Sequence, residues 1–316
     1  MKLNSFDLKI LHELEKDATL SLKELSVVIR RSKQFVAYRL ERMENEGLIL
    51  GYSAVVDVTA IGFFCFRIYI DFQHMTSLQT EQFVKEMKRH SEVVQAYLIR
   101  GHWDAALYVV LPSLMHFRKL WDKILLNYKK EIKEHSVFTY APIYNLSKPF
   151  LNRSSLRTVR SIGVADAQKV SSEDWELIQL YSQNVRVSLI ELSKKLNRSR
   201  YAIKKRLKEL RESKIISGTN VDLDPQKLDQ KFYTIALSLE SFKIIDSLYD
   251  FCSMQRSIYQ INRIIGGDDF EIKVMVKSKQ ELVSLIDKIK LKFPGKIRDD
   301  NYFSFQPVYS RGIVPY

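Results

Sequence analysis

The sequence contains two copies of one long segment, and this duplication constrains the fold more than any other feature. When the chain is shifted by 167 positions, residues 7–57 align with residues 174–224, and 13 of these 51 pairs are identical. Average composition gives about three identities by chance. The period is far longer than the roughly 20 to 50 residues of a solenoid repeat, so it describes two whole modules in tandem.

The start of each module is predicted to be a winged helix-turn-helix. In residues 1–60, apolar residues at helical spacing predict three short amphipathic helices, the later two each preceded by a serine that can cap them. Gly47 ends the third helix, and residues 48–57 are predicted to form a strand pair broken at Gly51, which is the wing. The duplication predicts the same domain at 171–227.

The remainder of each module alternates in the order βαββαβ, which is typical of a ferredoxin-like domain. We predict this domain at 61–146 and again at 228–316, and we predict a linker at 147–170 because this segment contains Pro149 and Gly163. The predicted fold class is therefore α+β, with two tandem modules that each combine a winged helix-turn-helix and a ferredoxin-like domain. The predicted strands are 63–72, 93–100, 105–111, 136–144, 232–240, 258–265, 270–277 and 301–309, and the predicted helices of these domains are 79–90, 113–134, 243–255 and 278–292.

Composition excludes several classes of protein. Hydrophobic residues make up 46% and charged residues 28% of the chain, which excludes wholesale disorder and fibrous repeats. The longest apolar runs, 61–66 and 105–111, are far shorter than the roughly 18 residues of a membrane-spanning helix. Cys65 and Cys252 belong to no disulfide framework or metal-binding pattern, so we expect a cytoplasmic protein without cofactor or metal. The net charge of +13 favours an anionic partner such as nucleic acid.

Several short motifs then point to a known family. They are Asp7-x-x-Ile10-Leu11, Leu22-x-x-Leu25-Ser26, Arg39-Leu40-x-Arg42-Met43-Glu44, Gly47-Leu48-Ile49-x-Gly51-Tyr52 and Gly101-x-x-Asp104. In these motifs the chain resembles the Lrp/AsnC, or feast/famine, family of transcriptional regulators. The resemblance implies that a winged helix-turn-helix binds double-stranded DNA and that a ligand-sensing domain of the RAM or ACT type dimerises through its sheet. The tandem copy implies a covalent pseudo-dimer, and further assembly into a homo-oligomer stays open.

The second module departs from the family pattern at two positions. Lys214 stands where the first module has Gly47, and Thr219 stands where it has Tyr52. Because glycine is the usual residue after the end of a helix, we expect an altered helix stop and wing in the second module.

The third helix of each winged domain is the predicted DNA-recognition helix, because an α-helix fits the major groove. At three outward positions the first module has Ala37, Tyr38 and Glu41, whereas the second module has three lysines, which predicts unequal recognition helices. The alternative is that these lysines are merely solvated. The DNA-binding candidates are Ser32, Lys33, Gln34, Tyr38, Ser199, Arg200, Tyr201, Lys204, Lys205 and Lys208.

The Gly-x-x-Asp turn has two interpretations. It is a tight hairpin in which glycine supplies a positive φ and aspartate caps the backbone. The family resemblance implies instead that the turn lies beside an effector pocket between paired sensing domains, with an amino acid as the expected effector. The effector-binding candidates are Gly101, His102, Trp103 and Asp104, with Gly266 and Asp269 at the matching turn.

Two other functions stay open beside a DNA-binding regulator. Siroheme decarboxylases are similar in domain layout and also occur as paired modules, but they require histidine and arginine positions that bind a tetrapyrrole. None of the histidines here recurs in the second module, which favours a protein that is not an enzyme. A protein-interaction module with degenerate winged helices is the third alternative. The six histidines are His12, His74, His90, His102, His116 and His135.

Overall fold

A computed structural model describes residues 3–148, 150–151, 157 and 159–310 of the chain. These residues form two compact units, and each unit takes segments from both modules. The first unit contains both winged helix-turn-helix domains, and the second contains both sensing domains. The first is composed of Met1–Asp57, Ser147–Arg160 and Val170–Gln230, and the second of Val58–Leu146, Ser161–Lys169 and Lys231–Tyr316.

Ten α-helices and eleven β-strands make up the described residues. The helices are α1 (Ser5–Lys16), α2 (Leu22–Ile29), α3 (Lys33–Asn45), α4 (Ser77–Glu86), α5 (Leu114–Tyr128), α6 (Ser172–Gln183), α7 (Leu189–Lys195), α8 (Arg200–Glu212), α9 (Ile245–Met254) and α10 (Lys279–Lys292). The strands are β1 (Ile49–Val56), β2 (Phe64–Phe72), β3 (Val93–Arg100), β4 (Ala105–Leu111), β5 (Ile132–Leu146), β6 (Val159–Ile162), β7 (Ile216–Leu223), β8 (Lys231–Leu239), β9 (Ile258–Ile265), β10 (Phe270–Val276) and β11 (Ile297–Ser310).

In the first unit, each module supplies the three helices that its apolar pattern predicts. The second helix begins at a capping box in which Ser21 and Glu24 satisfy each other's backbone N–H groups. On the third helix, Val36, Leu40 and Met43 face the core and are at most 3% exposed. The helices therefore form because one apolar face of each is buried against the other two.

The wing is different from the prediction. Residues 49–56 form one continuous strand, β1, which pairs antiparallel with β7 of the other module, so the predicted strand pair within one module is wrong. Tyr52 lies opposite Val221 in this ladder. Gly51 does not have the positive φ that a tight hairpin turn requires, and the register merely shifts between Ile49 and Gly51. The two winged domains thus share a two-stranded sheet.

The end of α8 shows that the expected alteration of the helix stop is also wrong. Lys214 adopts a φ of 62°, close to the φ of 66° at Gly47, so both third helices end in the same left-handed conformation. The second departure from the family pattern, Thr219 in place of Tyr52, does change the side-chain hydrogen bonds. Thr219 is buried and accepts a hydrogen bond from the backbone N–H of Ala18 at 2.8 Å, whereas Tyr52 donates to Glu44.

In the second unit, both βαββαβ domains contribute to one closed barrel. The strand order β2-β4-β3-β11-β8-β10-β9-β5-β6, with β5 also paired to β2, closes eight antiparallel strands, and β6 extends the edge at β5. The two domains join where β3 pairs with β11 and where β9 pairs with β5. The sensing domains therefore pair within one chain.

Several boundaries differ from the sequence prediction, among them the end of α4 at Glu86 and the start of β11 at Ile297. The helix predicted at 113–134 ends at Tyr128, and β5 begins at Ile132 because Ile132 pairs with Phe72 of β2. Within the predicted linker 147–170, Val159–Ile162 forms strand β6. Pro149, on which the linker prediction partly depended, lies outside the described residues.

Among the described residues, no helix is long and apolar enough to cross a membrane. In the same residues, no three histidine, cysteine or acidic side chains are grouped so that they can hold a metal ion.

Candidate functional site

The predicted DNA-binding residues lie on the outer faces and at the amino ends of α3 and α8. Tyr38 is 59% exposed on α3, and Tyr201 is 80% exposed on α8. Because single exposed aromatic side chains are common on protein surfaces, this exposure shows only that both rings are accessible. Gln34, Lys33 and Arg200 are likewise exposed. The structure thus leaves each predicted side chain accessible to a ligand.

Ser32 and Ser199 have a structural role in addition to their surface position. The hydroxyl of Ser32 accepts from the backbone N–H of Phe35, and that of Ser199 accepts from the N–H of Ala202, each at 3.1 Å. These serines are therefore N-caps that fix where the two recognition helices begin.

Behind each recognition helix, an arginine anchors it to the first helix of its domain. Nε of Arg39 donates to Asp7 at 2.6 Å, and both side chains are nearly inaccessible. Arg206 contacts Asp174 in the same way in the second module, although its side chain is 41% exposed. This anchor sets the orientation of each recognition helix within its own domain.

The three lysines of α8 are exposed, and two of them form ion pairs along the helix. Nζ of Lys205 lies 3.9 Å from Glu209, and Nζ of Lys208 lies 3.6 Å from Glu212. Lys204 has no ion pair within the described part of the chain. Exposed pairs of this kind contribute only about 0.3–0.5 kcal/mol. All three ammonium groups therefore remain able to turn towards a phosphate.

The base of the recognition helix also differs between the modules. In the first module, Phe6 and Phe35 pack edge to face at 5.4 Å, and Arg31 lies 4.5 Å from the Phe6 ring. The equivalent positions in the second module are Glu173, Ala202 and Arg198, where Glu173 and Arg198 form an ion pair. A cavity of about 470 Å³ opens beside them.

The aspartates of the two Gly-x-x-Asp turns hold the hairpins together. Oδ2 of Asp104 accepts from the backbone N–H of Phe72 at 2.8 Å, and Oδ2 of Asp269 accepts from that of Leu239 at 2.6 Å. This geometry supports the structural interpretation of both aspartates, because one carboxylate oxygen of each already has a backbone donor.

Gly101 is required by a close approach between the modules. Its φ is 150°, and a Cβ at this position would lie 2.8 Å from Cβ of Phe303 on β11 of the second module. At the matching turn, a Cβ on Gly266 would meet its nearest neighbour, the carbonyl oxygen of Val137, at 3.6 Å. The first turn is therefore the tighter of the two contacts.

A cavity of about 680 Å³ lies beside the first turn, and both modules line it. Gly101 and Asp104 contribute from the turn, whereas His102 is exposed and Trp103 stacks on Tyr69 at 5.8 Å. The size is suitable for a small molecule. Its other lining residues are Ser77, Thr80 and Glu81 at the start of α4, Leu98, Ile99 and Arg100 on β3, and Ser304, Phe305, Gln306, Pro307 and Val308 on β11.

Sequence analysis missed the residues of α4 and β11 that line this cavity. Gly266 and Asp269 do not line it and lie instead at the matching turn near β5. The only signal for the β11 residues was the duplication itself, because pairing two ferredoxin-like sheets places the closing strand of one module beside the turn of the other.

A second missed group is a charged cluster inside the barrel. Glu271 is inaccessible to solvent, and its carboxylate accepts from the hydroxyls of Tyr69 at 2.7 Å and Tyr140 at 2.8 Å and from Nδ2 of Asn262 at 2.8 Å. Burial and the nearby carboxylate raise the pKa of Tyr69 well above its usual value, so this tyrosine remains a donor. The signal was the alternation on β10, where Glu271 and Lys273 share one face of an otherwise apolar strand.

Family models match both domains of the first module. A winged helix-turn-helix DNA-binding domain model matches residues 3–49, and the Lrp/AsnC ligand binding domain model matches residues 67–135. The HTH-type transcriptional regulator LrpB of Bacillus subtilis is 30% identical over 142 residues, which cover 43% of this chain and 94% of LrpB. The leucine-responsive regulatory protein of Escherichia coli K12 is 30% identical over 129 residues, which cover 39% of this chain and 76% of that protein.

Both modules together are similar to solved structures of a siroheme decarboxylase. The siroheme decarboxylase NirDL covers 99% of this chain, and this chain covers 94% of NirDL, with a TM-score of 0.68 and 14% sequence identity. At this identity the likeness concerns the fold, and it shows that the tandem arrangement of two such modules occurs elsewhere.

Proposed function

The chain belongs to the Lrp/AsnC family of DNA-binding transcriptional regulators, and from this premise we propose that it is a sequence-specific regulator with two unequal recognition helices on one chain. The observation that carries the proposal is the contrast between α8 and α3. The exposed face of α8 presents Lys204, Lys205 and Lys208, whereas α3 presents Ala37, Tyr38 and Glu41 at the same positions.

Physical chemistry supports different contributions from the two helices. Lysines at the edge of the major groove neutralise phosphates and release counterions, which gives affinity with little sequence preference. Tyr38 and Gln34 on α3 carry no charge, so they are suited to contacts with base edges. The β1–β7 ladder joins the two winged domains, so both helices belong to one compact unit.

The test is a titration of fluorescent genomic DNA fragments with the full chain at several salt concentrations. Replacing Lys204, Lys205 and Lys208 by alanine is expected to weaken binding and to make the slope of log K against log salt less steep by up to about 3, one for each lost phosphate contact. The matched control replaces three exposed lysines near α5, Lys119, Lys123 and Lys129, which changes the net charge equally.

Three outcomes distinguish the interpretations. If only the α8 variant loses affinity and slope, the lysines contact DNA. If both variants lose them equally, the lysines act only through the net charge of the protein. If wild type binds no fragment at low salt, the proposal that this chain binds DNA is refuted, and the protein-interaction alternative gains support.

We further propose that an amino acid binds in the 680 Å³ cavity and changes DNA affinity. Arg100 and Glu81 line this cavity, so it offers a cation for a carboxylate and a carboxylate for an ammonium. Glu81 currently contacts Lys85 in an exposed pair, which is weak enough to be exchanged for a ligand. Coupling of 1 to 3 kcal/mol, typical of allosteric proteins, corresponds to a change in DNA affinity of about 5- to 150-fold.

Calorimetry with the twenty amino acids tests the effector proposal. Arg100→Gln is expected to abolish binding of the effector, whereas Arg118→Gln, which removes an exposed arginine on α5, is expected to preserve it. If Arg100→Gln binds the effector with the same heat as wild type, the ligand binds outside the 680 Å³ cavity. Absence of heat with all twenty amino acids would exclude an amino-acid effector.

We propose that the protein is not an enzyme, although its fold is shared with a siroheme decarboxylase. None of the six histidines is among the residues that line the 680 Å³ cavity. Mixing the purified chain with an iron tetrapyrrole is therefore expected to leave the absorbance of the pigment unchanged. A shifted absorbance band accompanied by loss of carbon dioxide would favour the enzyme.

A further inference from the structure

Two cations from different modules are buried inside the barrel. Arg67 on β2 is 4% exposed, and Lys273 on β10 is 8% exposed. The Arg67 guanidinium lies among tyrosine rings, with its Cζ 5.0 Å from the centre of the Tyr108 ring, and Nζ of Lys273 lies 5.4 Å from the centre of the Phe305 ring. Burial of charge in this way is costly unless a partner compensates it.

The charges of the cluster do not balance. Among the described buried residues of this interior, Glu271 is the only carboxylate, and it already accepts hydrogen bonds from two tyrosines and Asn262. In the described part of the chain, neither Arg67 nor Lys273 comes within 4 Å of a carboxylate oxygen. Nε of Arg67 is buried, and no described residue accepts its hydrogen bond. One positive charge is therefore left over when both cations are protonated.

A small chamber adjoins both cations. Its volume is about 10 Å³, at the lower limit for a single water-sized occupant. Besides the two cations, polar groups are supplied by Thr234, Tyr69 and Tyr97, and no acidic side chain lines the chamber. The remaining lining residues are Ile99, Ala106, Phe303 and Phe305.

We propose that this chamber binds one small inorganic anion of halide size, held by the Nε–H of Arg67 and the ammonium of Lys273. A monovalent anion would neutralise the surplus charge and accept the hydrogen bond that Arg67 Nε does not otherwise donate. Sulfate, phosphate and carboxylic acids are too large for this volume. A chloride ion is only slightly larger than a water molecule, so it requires a small outward shift of the lining side chains.

The chamber contains none of the DNA-binding residues and neither Arg100 nor Glu81 of the effector proposal, although Ile99 and Phe305 line both the chamber and the 680 Å³ cavity. Its tests are therefore separate from the tests of those proposals. Arg67 belongs to the first module and Lys273 to the second, so the site exists only when the two sensing domains are paired. An anion that binds the folded barrel and not the unfolded chain stabilises the folded state by mass action. Halide therefore promotes pairing of the domains.

The first test compares unfolding of the full chain by urea in sodium chloride and in sodium gluconate, at equal ionic strength and pH. At a chloride concentration ten times its Kd, the folding equilibrium constant is expected to be about elevenfold higher than in gluconate. Lys273→Met is expected to lose this difference. Lys279→Met, which removes an exposed lysine of the same module above the Tyr302 ring, is expected to keep it.

The second test does not depend on the folding of a variant. Crystals of the full chain grown in sodium bromide are expected to show an anomalous scattering peak between Arg67 and Lys273. Equal stability of wild type in chloride and gluconate would overturn the proposal. Bromide peaks that occur at the protein surface but not in the chamber would overturn it as well.

Discussion

Replacing Gly101 by alanine tests the contact that joins the first turn to the second module. In wild type, Gly101 has a φ of 150°, and a Cβ there would lie 2.8 Å from Cβ of Phe303 and 3.3 Å from its Cα. Both atoms belong to or adjoin the backbone of β11, so a rotamer change in Phe303 cannot relieve the clash. Either β3 and β11 separate locally or the turn distorts.

The magnitude follows from two separate costs. A side chain in this region of φ costs about 1–3 kcal/mol of conformational strain. Overpacking at a fixed contact adds about 1–3 kcal/mol. Gly266→Ala is the matched control, because this residue occupies the same position of the second turn, with φ 87° and its nearest neighbour at 3.6 Å. Its positive φ also strains an added side chain, although at a different angle, and it lacks the clash, so Gly101→Ala is expected to lose at least about 1 kcal/mol more stability.

Urea unfolding of the two variants measures this difference, because the shift in midpoint multiplied by the m-value gives the change in the free energy of unfolding. Gly101→Ala is also expected to weaken effector binding, since Gly101 and the neighbour of Phe303, Ser304, both line the 680 Å³ cavity. Equal losses of stability in Gly101→Ala and Gly266→Ala would refute the argument, because the contact between the turn and β11 would then have no energetic role.

Three further predictions concern buried charge and backbone strain. Glu271→Gln replaces the charged acceptor of three buried hydrogen bonds by a neutral amide and is expected to lower the free energy of unfolding by about 1–3 kcal/mol, as measured in urea; a loss below about 0.5 kcal/mol would contradict it. Burial and the nearby Arg67 lower the pKa of Lys273 to about 7, so the unfolded chain binds one more proton above that pH. Without halide, stability is therefore expected to rise between pH 7 and about 10, and Lys273→Met is expected to remove this slope. Lys214→Gly is expected to raise the thermal midpoint, because a lysine in the left-handed backbone conformation costs about 1 kcal/mol of stability and glycine does not. An unchanged or lower midpoint would argue against that strain.

The local structure was largely predictable from the sequence, because it depends on neighbouring residues. The inward face of α3 followed from helical spacing alone, and Val36, Leu40 and Met43 are indeed buried. The same holds for the capping serines, whose role depends on residues three positions away. Helical periodicity and caps are local properties of the chain, which is why they were accessible without a structure.

The contacts between the modules were not predictable in the same way. The partner of β1 is a strand 167 residues later, and nothing within residues 48–57 distinguishes that partner from a local hairpin. The buried position of Arg67 depends on the closure of the barrel, since in an open sheet the same face of β2 can be solvated. The role of Asp104 was left open by the sequence, and its hydrogen bond to Phe72 supports the capping role.

The unlike charges inside the barrel have a consequence for how this chain can evolve. In a symmetric homodimer every interface residue must tolerate its own copy, so a change on one side appears on both. Here β2 carries Arg67 where β8 carries Thr234, and β10 carries Glu271 where β4 carries Ala106. In a fused chain, neither module has to be complementary to its own copy. The two modules can therefore acquire different interface residues that fit each other. A single-module relative that took the place of either half would bury a charge without its counterpart, so the fused chain disfavours exchange of a module with such a relative.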